Sequence, residues 1–443
     1  MRTTSRKQAS RAGSTIALVL SAIALTASLC MVQTNAVTAL GVIQFGHGWY
    51  KAGGQTGADV IGGDIGDESI PDVALRPNGQ PCAAFMSASG SGAADILVGC
   101  FNGSIWTGPD NGNGYSNISN SPFASENPDI AIAPDGTLYV AWLESTKAGP
   151  IPDREVRLVF FDGTNWSGFT GPYDVVSQGL SAGTSITLAI NPIDGHPAVA
   201  WNSKYQESVL YREWNGLTWK GRTGSYDKIN GTQDKTVNAL ELSLAMGSNQ
   251  APSVLWTNYD GGGYGEILFR RWDGSKWRGY VSTNSDNLSL TPLKSEHQAR
   301  LALFNDGRPA VTWEDATVNE QVRYLEWSGA MWRGHGGATA DTVQSGSNGA
   351  SPTLAINPVT NAPVISYLFF SGSANQMYVT QWNGGWVGLA STPQTQVDLK
   401  DASLNNAHYQ QAALDATGHV HLVWYYTQQI PVASLNVAYT RWK

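Results

Sequence analysis

The sequence predicts an all-β protein built from repeated four-stranded antiparallel units. Short apolar runs of strand length follow one another along the chain without a helical period. Asn-Gly and Asp-Gly pairs, which supply the backbone angles of tight hairpins, separate many of these runs. Aromatic residues recur at fixed places in each copy, 54 to 59 residues apart in the second run. Together these observations predict a seven-bladed β-propeller.

The unit is clearest in its fifth copy, from Leu301 to Gly334. A first run ends at Asn-Asp-Gly, and a second run ends at Trp313. After a polar loop, a third run ends at Trp327, and a Ser-Gly turn leads to a fourth run at Trp332. Each copy is therefore expected to contribute four strands and three connections.

Three columns of aromatic residues extend this alignment over the chain. The second run of successive copies ends in Phe85, Trp142, Trp201, Trp256, Trp313, Tyr367 and Trp424. The third run ends in Phe101, Phe161, Trp214, Trp272, Trp327, Trp382 and Trp442. The fourth run carries Trp106, Trp166, Trp219, Trp277, Trp332 and Trp386.

The third column, which is carried by the fourth run, lacks its last member because the chain ends at Lys443. Trp49 lies in a similar segment near the start, and placing it in the gap brings all 17 tryptophans into the three columns. The N-terminal strand is therefore predicted to pair in the C-terminal blade. Such pairing would close the ring and protect its edges.

The first 36 residues have the composition of a secretory signal peptide. Four basic residues precede an apolar stretch from Thr15 to Leu29, and Thr34-Asn35-Ala36 fits a cleavage site. The apolar stretch is shorter than the ~20 residues that span a bilayer. Residues 37–443 are predicted to form one domain, secreted or at the cell surface. Cleavage would leave a net charge of −12, which argues against nucleic acid and anionic membranes as partners.

Two cysteines, Cys82 and Cys100, remain after cleavage at that site. They lie on consecutive runs that are expected to be neighbours in a hairpin. In an exported protein these two residues can form a disulfide, and two buried free thiols are the alternative.

The long loops identify the face on which function is expected. The first and third connections of each unit are short turns, so the second connection and the link to the next unit lie together on the opposite side. Functional residues concentrate on long loops held by a rigid scaffold. This face collects acidic and aromatic residues, namely Glu68, Glu126, Glu144, Asp153, Glu207, Asp260, Glu296, Glu314, Asp315, Glu320, Tyr259, Tyr264, Tyr409, Tyr425, Tyr426, His297 and His408.

Carboxylates and aromatic rings together suit sugar recognition, because acids accept hydroxyl hydrogen bonds and rings pack on sugar C–H groups. A solvated acidic rim is the alternative interpretation. Arg300 lies within the first strand of the fifth copy, where it could reach the central channel. The predicted ligand-binding residues are Arg300, Glu314, Glu144, Glu296, Tyr409 and His408.

Glycoside hydrolysis requires a pair of suitably spaced carboxyl groups. Glu314, Asp315 and Glu144 are the catalytic candidates. Adjacent residues on a strand point to opposite faces, so Glu314 and Asp315 are not expected to act as a pair with each other. Arg300 and Arg154 do not supply the three convergent arginines of a sialidase.

Metal and phosphate motifs are weak in this sequence. The histidines have no ligand spacing, and no cofactor is expected. The segment Asp64-Ile-Gly-Asp67-Glu68 could contribute to a calcium site but lacks the full loop pattern, and an ordinary acidic turn is the alternative.

One pattern is repeated along the chain: an apolar strand, Asp-Gly, Pro-x-Val-Ala-Trp and a later Trp-Asn-Gly-x-x-Trp-x-Gly. This pattern resembles the repeats of secreted bacterial propellers of the sialidase-like group. The resemblance covers nearly all of residues 43–443. The segment Val322–Gly334 is also similar to repeats of fucose-binding propeller lectins. In those lectins an Arg, a Glu and an aromatic residue hold the sugar, which would assign such roles to Arg323 and Glu326.

The sequence therefore predicts an exported, non-catalytic propeller that binds glycans or a surface protein through its long-loop face. A sialidase-like glycoside hydrolase is the first alternative, and a structural subunit of a cell-surface assembly is the second. The oligomeric state is left open.

Overall fold

The computed structural model describes residues 48–61, 67–88, 93–110, 114–147, 153–204, 208–230, 238–259, 265–289, 296–317, 320–337, 339–344, 348–370, 375–389, 395–397, 407–428 and 434–443. All of them belong to one compact unit, Gly48–Lys443. The predicted signal peptide, residues 1–36, and Asp64 of the weak calcium pattern lie outside these residues. Within the described part of the chain, no helix has the length and apolar character needed to cross a membrane.

The described residues form β-strands, which we group into units along the chain. The two N-terminal strands are β1 (Trp49–Tyr50) and β2 (Asp59–Ile61). The first unit contains β3 (Asp67–Leu75), β4 (Pro81–Ala88), β5 (Asp95–Phe101), β6 (Trp106–Thr107) and β7 (Ser116–Asn117). The second contains β8 (Ser125–Ile132), β9 (Leu138–Ser145), β10 (Arg154–Phe161), β11 (Trp166–Ser167) and β12 (Asp174–Val175). The third contains β13 (Ala182–Ile190), β14 (Pro197–Ser203), β15 (Val209–Trp214), β16 (Trp219–Lys220) and β17 (Asp227–Lys228).

The fourth unit contains β18 (Asn238–Met246), β19 (Pro252–Tyr259), β20 (Gly265–Trp272), β21 (Trp277–Arg278) and β22 (Asp286–Asn287). The fifth contains β23 (Glu296–Leu303), β24 (Pro309–Asp315), β25 (Gln321–Trp327), β26 (Trp332–Arg333) and β27 (Asp341–Thr342). The sixth contains β28 (Gly349–Ile356), β29 (Pro363–Phe370), β30 (Asn375–Trp382), β31 (Trp386–Val387) and β32 (Thr395–Gln396). The last contains β33 (Ala407–Leu414), β34 (Val420–Gln428) and β35 (Ser434–Trp442).

Each of the first six units is a path of four antiparallel strands, as the hairpin signals predict. A fifth strand of two residues also pairs with the third strand, beside the short fourth strand, and the sequence analysis missed it. In the third unit, for example, β15 pairs with β16 through Trp214–Trp219 and with β17 through Leu210–Lys228. The units make up six sheets, because the second and third join through the single pair Arg154–Ala182 into a ten-stranded sheet.

The N-terminal strands complete the last unit. Strand β1 pairs antiparallel with β35, with Trp49 opposite Trp442, and the two indole rings pack edge to face at 5.1 Å. Strand β2 pairs further along β35, with Asp59 opposite Tyr439. The position predicted for Trp49 is therefore confirmed.

The aromatic columns form the core between neighbouring units. Trp142, Trp201, Trp256 and Trp424 are among the largest fully buried side chains. Each hydrophobic cluster draws on consecutive units, and one cluster joins Val73 of the first unit to Val437 of the last. Burial of large aromatic surfaces stabilises each contact between sheets, so the structure supports the core interpretation of these tryptophans.

A hydrogen bond between consecutive units accounts for four of the tryptophans in the fourth run and for the Trp-x-Gly pattern beside them. The indole N–H of Trp277 donates to Asp227 of the preceding unit at 2.9 Å, and Trp332 donates to Asp286 at the same distance. The bonds from Trp106 to Asp59 and from Trp386 to Asp341 repeat the arrangement. A Cβ at Gly279 would overlap the carboxylate of Asp286, so the chain needs glycine there.

Cys82 and Cys100 face each other across β4 and β5, with 4.0 Å between their Cα atoms, and form a disulfide. Both residues are buried in a cluster between the first and second units.

Candidate functional site

The inner strands, which are β3, β8, β13, β18, β23, β28 and β33, carry an unusual backbone feature. Each has a break in its pairing register with the second strand of its unit. At six of these bulges a non-glycine residue has a left-handed φ angle between 43° and 55°, namely Ile70, Asn127, Glu241, Gln298, Ser351 and Tyr409. Such backbone costs about 1–3 kcal/mol for each residue and is concentrated at functional sites.

The bulges lie at a cavity of about 470 Å³, which we call the inner cavity. All the inner strands contribute to its walls, and all six left-handed residues line it. A bulge interrupts the alternation of side chains along a strand and can re-aim the side chain that it carries. The strained backbone of the bulges therefore lies where the inner strands direct polar and aromatic groups into the inner cavity.

A second ring of polar residues lines the same cavity beyond the bulges. It consists of Asp72, Asp129, Thr187, Ser243, Arg300, Thr353 and Gln411. Several members bind the backbone of the next inner strand. Asp72 accepts the N–H of Ile130 at 2.9 Å, and Ser243 accepts the N–H of Leu301 at 3.1 Å. These bonds tie neighbouring inner strands together and satisfy donors that face the cavity.

Arg300 is the cation of the inner cavity, at the position that the sequence analysis considered for it. Burial lowers the pKa of its guanidinium, and the negative charges of Glu241, Asp72 and Asp129 oppose that shift. The guanidinium donates to the carbonyl of Ala299 at 3.1 Å and forms no ion pair with a described residue. An arginine has five N–H donors, so this one can still bind a ligand.

Asp72 and Asp129 form an acidic pair in the cavity wall. Burial raises the pKa of both carboxyl groups, and the pKa of Asp129 rises well above its usual value with a further contribution from the charge of Asp72. When two carboxyl groups are buried close together, one of them tends to keep its proton, because two neighbouring negative charges repel each other. The pair therefore carries less negative charge near neutral pH than two exposed aspartates would.

Asp129→Asn should reduce the loss of stability that accompanies rising pH. A carboxyl group with a raised folded-state pKa favours the folded state less and less as the pH increases from its ordinary pKa, 3.8, towards the raised one. Asparagine stays neutral and retains an acceptor for the N–H of Leu188, which Asp129 accepts at 2.9 Å. Urea denaturation between about pH 4 and pH 8 measures this. An identical pH slope in both proteins would contradict the assignment.

Glu314 and the Tyr259–His297 pair lie near the cavity wall. Glu314 accepts the backbone N–H of Ser351 at 3.1 Å, and burial raises the pKa of its carboxyl. The hydroxyl of Tyr259 and Nδ1 of His297 are 2.6 Å apart, within hydrogen-bond distance. Burial raises the pKa of the tyrosine hydroxyl, with contributions from Glu241 and Glu314. A half-buried Tyr–His pair within the electrostatic influence of two carboxylates is able to transfer protons.

Tyr409 and His408 complete one side of this region. Tyr409 lines the inner cavity, is 52% exposed, and stacks on Tyr425 with 5.8 Å between ring centroids. His408 stacks on the same tyrosine at 5.3 Å, and burial lowers the pKa of its imidazole. The exposed face of Tyr409 is available to a ligand.

Glu144, a predicted catalytic and ligand-binding residue, does not belong to this region. Its side chain is fully buried, and it accepts hydrogen bonds from Ser121, from Ser125 at 2.7 Å and from the indole of Trp142 at 2.8 Å. A carboxylate whose oxygens are sealed and bonded in this way stabilises the loop before β8. Such a residue has no access to substrate.

Asp315 and Glu296 are also separated from the inner cavity. Asp315 lies beside Glu314 on β24 but faces the opposite side, as the alternation of strand side chains predicts. It forms an ion pair with Arg323 at 3.2 Å and, with Glu296, lines a different space of about 650 Å³. Glu314 and Asp315 therefore do not form a hydrolytic pair.

The arginines considered in the sequence analysis do not converge. Arg154 pairs with Glu126 at 2.8 Å and does not line the inner cavity. Arg323 bonds to Asp315 and Thr342, whereas Glu326 accepts from Tyr324, so Arg323 and Glu326 do not meet. Neither the arginine triad of a sialidase nor the suggested lectin pair is assembled among the described residues. No group of three possible metal ligands occurs in them either.

Sequence reasoning missed Asp72, Asp129, Glu241 and Gln298 as cavity residues. A signal for two of them is present, because Pro71-Asp72 and Pro128-Asp129 recur at a spacing of one unit. Proline within a strand marks a bulge or an edge. A polar residue after such a proline therefore indicates a side chain at the cavity wall.

Comparisons with known proteins agree with this architecture. A protein of unknown function from Dyadobacter fermentans matches with a TM-score of 0.53 and 13% identity, covering 89% of this chain and all of its own. An ulvan lyase, bound to an oligosaccharide of GlcA and Rha3S, matches with a TM-score of 0.52 and 12% identity, covering 84% of this chain and 94% of its own. A sialidase from Trypanosoma rangeli has a TM-score of 0.42 at 11% identity, covering 88% of this chain and 57% of its own.

An arabinanase and fucose-binding propeller lectins are also among the matched structures. No protein family and no curated protein matches the chain. A sialidase and fucose-binding propeller lectins, the two groups that the sequence resembles, are both represented among the matched structures. The chain is thus an all-β protein of repeated antiparallel sheets with propeller neighbours.

Proposed function

We propose that this protein binds a neutral glycan in the inner cavity. The observation that carries the proposal is the set of strained bulges around a polar cavity, with Arg300 as a donor and Tyr409 as an exposed ring. Sugar hydroxyls need both donors and acceptors, and the C–H face of a sugar ring packs on an aromatic side chain. The inner cavity offers all three kinds of contact.

The charge of the cavity favours a neutral sugar over an acidic one. Arg300 is the cation among the residues that line it, whereas Asp72, Asp129 and Glu241 are acidic. The carboxylate of Glu241 and the charge that the Asp72–Asp129 pair retains outweigh the guanidinium of Arg300, which disfavours an anionic sugar. The acidic balance of the chain, 35 acidic against 27 basic residues, disfavours anionic polymers in the same way.

We also propose that the sheets form a closed ring of seven blades. Support comes from the ten-stranded sheet, which consists of two four-stranded paths joined through one residue pair. Contact between β33 and β3, together with the pairing of β1 and β35, connects the last unit to the first and to the N-terminus. Export after removal of residues 1–36 is part of the same proposal, and the Cys82–Cys100 disulfide supports it.

Cleavage of the bound glycan is the second candidate function. The Tyr259–His297 hydrogen bond beside Glu241 and Glu314 favours it, because general acid–base catalysis needs groups with perturbed pKa values close together. Incubation with a panel of polysaccharides, followed by detection of new chain ends, tests it. Cleavage that survives in a Tyr259→Phe variant would remove this pair from the mechanism.

Tyr409→Ala should weaken glycan binding roughly tenfold, because the variant loses the aromatic surface that faces the cavity. A glycan array identifies the sugar, and calorimetry then compares affinities. Tyr173→Ala is the matched control, since Tyr173 is 39% exposed but packs on Arg157, away from the inner cavity. The absence of binding across the array, or equal losses in both variants, would refute the proposal. A surface protein as partner would then be tested by pull-down.

A further inference from the structure

Two junctions between units are filled by a buried arginine. Arg212 of the third unit donates to the carbonyl of Val176 at 2.6 Å, in the second unit. Arg270 of the fourth unit donates to the carbonyl of Ile229 at 2.7 Å, in the third. Both arginine residues are nearly inaccessible to solvent, at 3% and 5% exposure. Each arginine therefore supplies a cation and an aliphatic stem to the space between two units.

The next junction has leucine at the same position. Leu325 lies opposite Val311 on β24, just as Arg270 lies opposite Val254 on β19. Leu288 occupies the place of Ile229, and Ala340 occupies the place of Ser285, to which Arg270 donates at 2.9 Å. Leu325, Leu288 and Ala340 all line the space of about 650 Å³ noted above, which we call the outer cleft. The outer cleft thus occupies the space that an arginine side chain at position 325 would fill.

The charge of the outer cleft is predominantly negative. Glu296 and Asp315 line it with only 2% of their surfaces exposed, and Asp286 is a third carboxylate. Among the described residues of this lining, Arg323 is the cation, and it pairs with Asp315. A buried excess of carboxylates favours a cationic ligand strongly, because the local dielectric constant is low.

The rim of the cleft is apolar. Val281 is 72% exposed and Met331 is 47% exposed, and both line the opening together with Trp332. Isolated exposed apolar residues are ordinary, but these lie together above an acidic interior. A ligand with an apolar portion next to its charged end would contact both parts.

We propose that the outer cleft binds a small guanidinium-bearing molecule with an adjoining apolar group. The guanidinium takes the place that Arg212 and Arg270 occupy at two other junctions, with the carbonyl of Leu288 and the carboxylate of Glu296 as acceptors. The apolar group packs on Val281, Met331 and Trp332. The site is separate from the inner cavity and takes a cationic ligand, whereas the inner cavity takes a neutral sugar.

Calorimetry with Nα-benzoyl-L-argininamide tests the proposal on the full mature chain, and the matching citrulline derivative is the neutral control. The arginine compound should bind at least about tenfold more tightly, because only it forms charge-assisted hydrogen bonds. Leu325→Arg should abolish binding by filling the cleft with the chain's own guanidinium. Glu296→Gln should weaken binding about tenfold, and it tests the site even if the arginine variant does not fold.

Arg300→Gln, which alters the inner cavity, should leave binding of the arginine compound unchanged. This variant distinguishes the two proposals, because it alters the glycan site and not the outer cleft. No binding to the wild-type protein, equal binding of the two compounds, or unchanged affinity in both Leu325→Arg and Glu296→Gln would overturn the inference.

Discussion

Arg300→Gln should reduce glycan affinity roughly a hundredfold, the largest functional loss expected from one substitution. A charged hydrogen bond to a ligand contributes about 1.5–3 kcal/mol, and glutamine provides neither the charge nor the forked geometry. Arg300→Lys should show an intermediate loss, because an ammonium group keeps the charge without the fork. Calorimetry with the sugar identified on the array measures both variants.

The folded state should tolerate the glutamine variant. The guanidinium of Arg300 bonds within the described protein only to the carbonyl of Ala299, and its burial carries a desolvation cost that glutamine removes. Arg154→Gln is the matched control, because it breaks the ion pair with Glu126 and touches no residue of the inner cavity. Glycan affinity that is unchanged in Arg300→Gln would place the binding site elsewhere.

Asp227→Ala should lower the free energy of unfolding by about 3 kcal/mol, the largest loss of stability that we expect. The carboxylate is 2% exposed and accepts the backbone N–H groups of Arg222 and Thr223 at 2.8 and 2.9 Å. It also accepts the indole N–H of Trp277 in the next unit at 2.9 Å. Removal of this acceptor leaves several buried donors unsatisfied at once, within a loop and between two units.

Urea denaturation of Asp227→Ala, Trp277→Phe and the double variant separates the two contributions. A coupling energy of about 1 kcal/mol between the substitutions is expected from the lost hydrogen bond between units. Asp162→Ala is the control, since Asp162 caps a turn at the surface and its loss should have a much smaller effect. Additive effects of the two substitutions would mean that the Trp–Asp bond does not hold the units together.

The strands and the aromatic core were predictable because their signals are local and repeated. Tight turns such as Asp162-Gly163 require positive φ at glycine, and Gly163 has a φ of 99°. Trp201 and its equivalents recur at the spacing of one unit, so the strands of one copy identify the strands of the others. The short fifth strands have only two residues, too few for an apolar pattern, and the aspartates that begin several of them resemble ordinary loop residues.

The candidate site was only partly predictable, because burial and backbone strain depend on packing between units. Ile70 and Tyr409 have left-handed φ angles that their residue types disfavour, so no rule of local sequence places bulges there. Glu144 follows Trp142 by two residues and Glu314 follows Trp313 by one, so the two side chains face opposite sides of their strands. The sequence analysis treated them alike, although Glu144 is fully buried and Glu314 is half-buried near the cavity. Arg300 was recognised because the repeat places it in the first strand of the fifth copy, from which it could reach the central channel.

The pairing of β1 with β35 also sets the order in which the protein can fold. Thr440 bonds to the carbonyl of Tyr50, a contact between residues 390 positions apart. Contacts of such long range form late and slow the overall rate, since most of the chain must already be arranged before the partners meet. The segment that contains Trp49 therefore stays unpaired until strand β35 has formed. Until this pairing forms, Trp49 lacks the ring of Trp442 against which it packs in the folded protein.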